Sequence, residues 1–173
     1  MYNNLRRFIA LLFAIAVFYL GIKSQRIYYW AIVIIAVGEI IRIWAAGYIK
    51  KNKILSIVGP YKYVRNPLYV GSLLIGVGFG LFIANYYLLI FMVVTFLIIY
   101  NLKIKSEEEK LKSIFGEQYL TYKKIVNRWL PRLSSYGHDS EEFNVKLAII
   151  KNKEYNAILG CLAMIFAIII FKK

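Results

Sequence analysis

Five apolar runs, each bounded by charge or by a turn, constrain this chain more than anything else in it. A bilayer core about 30 Å thick asks for about 20 apolar residues in a helix that crosses it. Within lipid each backbone N–H and C=O must be paired inside its own element, which leaves helices or closed barrels. Residues 8–22 (FIALLFAIAVFYLGI) and 28–49 (YYWAIVIIAVGEIIRIWAAGYI) are the first two runs. Residues 68–83 and 86–102 are the third and fourth, separated only by Ala84 and Asn85, which predicts a tight antiparallel hairpin. Residues 157–171 form the fifth, short for a full crossing. The expected fold is all-α: a polytopic membrane bundle of about five transmembrane helices with a cytoplasmic amphipathic helix.

Composition agrees. At 60% hydrophobic over 173 residues, a soluble domain could not cover its apolar surface. The length allows one compact domain. A net charge of +14 would suit nucleic acid, but the basic residues flank apolar runs, as charges that fix membrane orientation do. Lys50, Lys51, Lys53, Lys62 and Arg65 lie between runs two and three, many lysines follow run four, and the Ala84–Asn85 turn carries no charge. The positive-inside rule puts both basic segments and the N-terminus in the cytoplasm. Five crossings leave Lys172 and Lys173 outside; a re-entrant last run returns them. The first run has Arg6 and Arg7 before it but no small-residue cleavage site after it, so it is kept as an anchor. The single cysteine, Cys161, sits in the last run, which excludes a disulfide framework or cysteine metal site within one chain.

After run four, Leu111, Ile114, Phe115, Tyr119 and Tyr122 recur at three and four, predicting an amphipathic helix kinked near Gly116 and ended by Pro131. Residues 134–140 (SSYGHDS) break the pattern, His138 among them as an ordinary surface residue, and residues 141–156 suggest a short interfacial helix. Gly71, Gly76, Gly78 and Gly80 mark a face of the third run for close approach, with the fourth run as the expected neighbour and a ligand as the alternative.

The polar residues admit two readings each. Glu39 and Arg42 stand one turn apart inside run two, where they either neutralise one another or line a polar pocket. Glu107, Glu108 and Glu109 are either a solvated face or carboxylates placed for a ligand's ammonium or hydroxyls. The segment VGPYKYVRNPLYVGS, residues 58–72, is too elaborate for a connector. Gly59 permits a tight bend, Pro60 and Pro67 stiffen the backbone, and Tyr61, Tyr63 and Tyr69 offer apolar bodies with polar tips. Arg65 supplies a fork of donors, and Asn66 a neutral donor and acceptor.

GPYKYVRNPLYVG with its glycine-rich hairpin, EEEKL, FGEQYLTYKK and VNRWLP, in that order, resembles the isoprenylcysteine carboxyl methyltransferase and phospholipid methyltransferase superfamily of membrane enzymes using S-adenosylmethionine. GEIIR in run two is similar to the isoprenylcysteine branch, and the likeness covers roughly residues 38–131. Asn66 stands where many relatives have histidine, which removes that position as a base. The resemblance implies cofactor contacts at Tyr61, Asn66, Pro67, Leu68, Tyr69, Glu107 and Glu108, and at residues 53–56, among them Lys53, Leu55 and Ser56. Arg65 is the expected catalytic position, holding an anionic acceptor or the cofactor's own carboxylate, and Lys103, Glu39 and Arg42 are the expected acceptor-binding residues, with no metal. Lys103 occupies the place of an acceptor-binding arginine in the isoprenylcysteine branch.

The implied activity is methyl transfer from S-adenosylmethionine, leaving S-adenosylhomocysteine, to a lipophilic or lipid-anchored acceptor among the membrane lipids. An isoprenylcysteine-type carboxylate is the first acceptor; a phospholipid amine or a thiol is the alternative, and a small transporter or scaffold is the alternative of another class. Residues 1–133 would be the membrane methyltransferase core and residues 134–173 an extension carrying the interfacial helix and last membrane segment. The site would face the cytoplasm, in the plasma membrane if the host is prokaryotic.

Overall fold

The structure is a computed structural model that describes residues 2–50, 54–137 and 141–172, with side chains from residue 7 onward. Among the described residues it is helical with no strand: α1 (Tyr2–Ile22), α2 (Ala31–Ala46), a 3-10 turn (Gly59–Lys62), α3 (Pro67–Phe82), α4 (Tyr86–Ile125), a π-helical turn (Leu147–Lys151) and α5 (Tyr155–Phe171). The helix starts have local causes. Pro67 opens α3 at a position whose N–H has no helical partner to lose. The α3–α4 turn closes in two residues: Ala84 adopts φ 51°, and the Asn85 side chain accepts from Leu88 N at 2.9 Å to cap α4.

The closest packing joins α2 to α3, and glycine makes it possible. A Cβ on Gly38 would stand 2.7 Å from the Gly71 carbonyl oxygen, and one on Gly71 would stand 2.6 Å from that of Gly38. Gly78 lies against Ile35 in the same way, whereas Gly76 and Gly80 face Met92 and Leu89 of α4. The glycine face, with α4 as its expected neighbour, is thus split between α2 and α4, because small residues let whichever backbone is nearest approach.

One end of the bundle is an apolar core of Val17, Ala31, Ile35, Phe79, Phe82, Ile83, Met92 and Ile168. It draws on all five helices. Phe18 meets Phe171 edge-on at 6.5 Å, so the last apolar run docks on the first. Outer faces remain apolar and exposed, as at Leu11 and Ile15 of α1, Ile90 and Ile98 of α4, and Leu159 and Phe166 of α5. Water would cover these rows at a cost, and lipid tails would not. Among the described residues α4 is the one helix long and apolar enough to cross a membrane; Arg7–Ile22, Pro67–Phe82 and Tyr155–Phe171 are apolar but shorter.

Past its apolar half, α4 runs on for a total of 40 residues and breaks at Gly116 (φ 51°, ψ −128°), a backbone region open essentially to glycine. Beyond the break Tyr119 and Tyr122 fold onto Leu55 and Val126, with Leu111 and Phe115 packed beside them. Ile114, expected on that buried stripe, is 42% exposed.

The interfacial helix expected over residues 141–156 is reduced to the five-residue π-helical turn. The preceding strap is tied to the end of α2 instead: Asn144 N donates to Gly47 O at 3.3 Å, Asn152 Nδ2 to Ala46 O at 2.8 Å, and Lys50 pairs with Glu141 at 2.9 Å. Those contacts anchor the segment on α2 on either side of a single helical turn.

Candidate functional site

Two segments far apart in sequence meet where α3 begins and α4 leaves its apolar half. The 3-10 turn needs Gly59 in the left-handed region (φ 57°), with the Tyr48 ring so close that no Cβ would fit. The chain after α4 then sheathes the loop. Arg65 N donates to Asn127 O at 2.8 Å, Arg132 N to Tyr63 O at 3.0 Å, and Tyr136 N to Lys62 O at 3.1 Å. Tyr122 Oη donates to Tyr61 O at 2.7 Å, and Asn66 Nδ2 to Arg128 O at 3.1 Å. So the Asn66 amide serves the backbone of the motif's closing segment.

The glutamate run separates into three environments. Glu109 is solvated, Glu107 is half-exposed, and Glu108 is 5% exposed. Glu108 sits in a cage of cations: Arg65 Nη1 at 3.0 Å, Lys123 Nζ at 2.9 Å and Arg128 Nη2 at 2.8 Å, with Arg128 Nε also bonded. Burial pushes the Glu108 carboxyl up, but hydrogen bonds from Arg128 and Lys123 and the Arg65 charge outweigh it and hold it below the ordinary carboxylate value. Arg128 and Trp129 Nε1 both reach Asn101 Oδ1. The Arg65 contact to Glu108 is an ion pair by distance only: Arg65 Nε and Nη1 are buried and have no hydrogen-bond acceptor among the described residues. Beside them Tyr69 Oη donates to Glu107, 2.9 Å from both carboxylate oxygens, and Lys103 Nζ lies 3.2 Å from Oε1. The Tyr61 hydroxyl is held strongly protonated, first by burial and then by Tyr122, Tyr69 and Glu107.

Beneath this seam an apolar cavity of about 500 Å³ opens among α1 to α5. Tyr100 lines it and packs edge-on against Tyr69 at 4.8 Å, so one aromatic pair joins cavity to seam. Its polar end carries Glu39, Arg42, Ser72 and Cys161.

Residues 9–118 match the phospholipid methyltransferase family. The chain belongs to that family. It is 32% identical over 108 residues to the cobalt-zinc-cadmium resistance protein CzcN of Cupriavidus metallidurans, covering 61% of this chain and 50% of that one. It is 33% identical over 101 residues to the nickel-cobalt-cadmium resistance protein NccN of Alcaligenes xylosoxydans xylosoxydans (57% and 47%). It is 32% identical over 84 residues to the protein-S-isoprenylcysteine O-methyltransferase of Schizosaccharomyces pombe (47% and 36%). The chain spans about half the length, or less, of the curated relatives it matches. No solved structure matches it significantly.

Within this family frame the expected site residues fall into groups. Tyr61, Arg65, Asn66, Pro67, Leu68 and Tyr69 share one loop and helix start, and Arg65 and Tyr69 touch Glu108 and Glu107. Lys103 joins Glu107 rather than the cavity. Leu55 packs into the tyrosine cluster, and the Ser56 hydroxyl donates to Tyr48 O at 3.0 Å. Lys53 and His138 lie outside the described residues. Glu39 and Arg42 do line a pocket, yet they are barely paired with each other (4.0 Å). The partner of Arg42 is Glu154, 112 positions away, whose Oε2 accepts from Nη2 at 2.7 Å and Nε at 3.1 Å.

Sequence reasoning did not single out Lys123, Arg128, Asn101 or Glu154. Arg128 lay within the quoted VNRWLP, and Glu154 is a lone acid just before the last apolar run; neither signal names a partner.

Proposed function

We propose that the protein is a polytopic integral membrane methyltransferase that moves a methyl group from S-adenosylmethionine to a lipophilic acceptor entering from the bilayer. What carries this reading is the convergence of the Arg65–Tyr69 loop with Glu107 and Glu108 over an apolar cavity, in a chain of the phospholipid methyltransferase family. Arg65 Nε, buried with no acceptor among the described residues, fits a ligand carboxylate such as the methionyl end of the cofactor carries. Glu107, with the Tyr69 hydroxyl, offers acceptors for ribose hydroxyls. When bound, the cofactor supplies a methyl group already activated on a positively charged sulfur.

The chain's own work is then proximity, orientation and exclusion of water. Glu108 holds Arg65, Lys123 and Arg128 in place, the sheath of residues 126–136 covers the loop, and Tyr69 with Tyr100 divides the polar seam from the apolar cavity. Arg65 is the residue assigned to the reacting centre, as the holder of a charged ligand group. Residues 1–133 form the methyltransferase core in this proposal and residues 134–173 its extension, with the seam facing the cytoplasm. The name of the Schizosaccharomyces pombe relative points to an isoprenylcysteine carboxylate and the family's to a phospholipid amine; two carboxylates against one arginine at the cavity's polar end favour the amine.

The test is calorimetry of the detergent-purified chain with S-adenosylhomocysteine, followed by transfer of radiolabelled methyl from S-adenosylmethionine to host lipid extract. Folded protein that takes up no S-adenosylhomocysteine refutes the proposal.

A further inference from the structure

The segment beyond the family match enters the cavity, and what it does there is chemically specific. Glu154, 6% exposed, accepts from Arg42 Nε and Nη2, and Arg42 Nη1 donates to Ser72 Oγ. Each of the three guanidinium nitrogens is therefore engaged away from Glu39 Oε2. Cys161 of α5 donates its thiol to Glu39 Oε1 at 3.2 Å, while Glu39 Oε2 is buried on a residue 8% exposed and has no hydrogen-bond partner among the described residues. Asn156, Gly160 and Met164 of α5 complete that wall. The polar end holds one cation against two carboxylates. A buried acceptor left without a donor is costly, and a ligand that brings the donor recovers that cost.

We propose that residues 154–164 are part of the acceptor site, that Glu154 is a positioning residue which keeps Arg42 away from Glu39, and that Glu39 Oε2 is thereby a subsite for a hydrogen-bond donor on the acceptor's head. This rests on the cavity being the acceptor site of the proposed methyltransferase. The cavity then selects lipophiles with a neutral or cationic donor head and rejects an anionic one. Removal of Glu154 frees Arg42, already 4.0 Å from Glu39, to occupy Oε2 and cancel the excess negative charge. The donor preference should be lost as a result.

The experiment measures equilibrium binding of radiolabelled hexadecan-1-ol, hexadecylamine, palmitate and methyl palmitate to the full chain in detergent, with S-adenosylhomocysteine affinity followed in parallel. The alcohol and amine should bind the wild-type chain at least about tenfold more tightly than palmitate or the ester, the size of one charge-assisted hydrogen bond. Glu154→Ala should raise palmitate affinity and shrink the donor preference below about twofold, with S-adenosylhomocysteine affinity unchanged. Should Glu154→Ala fail to fold, Glu39→Gln, which removes the charge of the proposed subsite, should likewise shrink the donor preference below about twofold. Palmitate binding as tightly as the alcohol, or Glu154→Ala weakening all four probes by one factor, overturns the inference. If the wild-type chain shows the predicted probe order but no S-adenosylhomocysteine binding, the subsite stands and the methyltransferase proposal falls.

Discussion

Replacing Glu108 with glutamine keeps the shape of the side chain and removes its charge from among Arg65, Lys123 and Arg128. Breaking a buried ion pair by deleting one partner costs about 3–5 kcal/mol, because the other charge stays buried. Here Arg65 is 11% exposed, whereas Arg128 and Lys123 keep 27% and 38% of their side chains accessible and regain solvation. The low end, about 3 kcal/mol, is therefore expected. For a chain of this length that is a fall in Tm of about 6–12 °C. Thermal unfolding of the detergent-purified variant measures it, with Glu109→Gln and Glu117→Gln as controls on exposed positions of the same helix. A Glu108→Gln melt that overlies the controls would falsify the view that this carboxylate holds the seam together.

Other outcomes bear on separate parts of the structure. The Glu108 carboxyl lies below its ordinary value near 4.5, so its stabilising contribution is complete above that pH and disappears as pH falls through the lower folded value; acid titration of wild-type stability should show this loss and Glu108→Gln should not. Tyr69→Phe removes a hydrogen bond to a carboxylate and should weaken S-adenosylhomocysteine binding about tenfold or more, measured by calorimetry, with little change in Tm. Gly71→Ala should cost about 1–3 kcal/mol by forcing α2 from α3, while Gly160→Ala, with nothing within 4 Å of its Cβ, should melt like the wild-type chain.

Helix existence was legible because apolar runs of this length and a two-residue turn have few physical solutions; α3 and α5 lie within two residues of the runs that predict them. The break at Gly116 was legible too, since a glycine interrupts an otherwise sound amphipathic stripe. What periodicity does not carry is the identity of a neighbour. Gly71 and Gly38 each announce a close approach, but only the fold says that they approach each other. The same holds for charge. The Arg42–Glu39 spacing suggested a local pair, and a distant Glu154 with better geometry took the arginine instead. The strap of residues 141–154 misled for a related reason: Asn144 N and the Asn152 side chain bond to the end of α2, tertiary ties that sequence does not announce.

The lone left-handed residue within α4 has a consequence for how the chain can vary. Everything that grips the loop, from Tyr119 and Tyr122 to Arg128, inherits its azimuth from Gly116 and from the count of residues between it and Glu107. One residue inserted there would swing the later side chains by about 100° and carry them up about 1.5 Å, so the cation cage and the tyrosine latch could not both re-form. Between residues 107 and 128, then, spacing is as much a part of the machinery as any side chain.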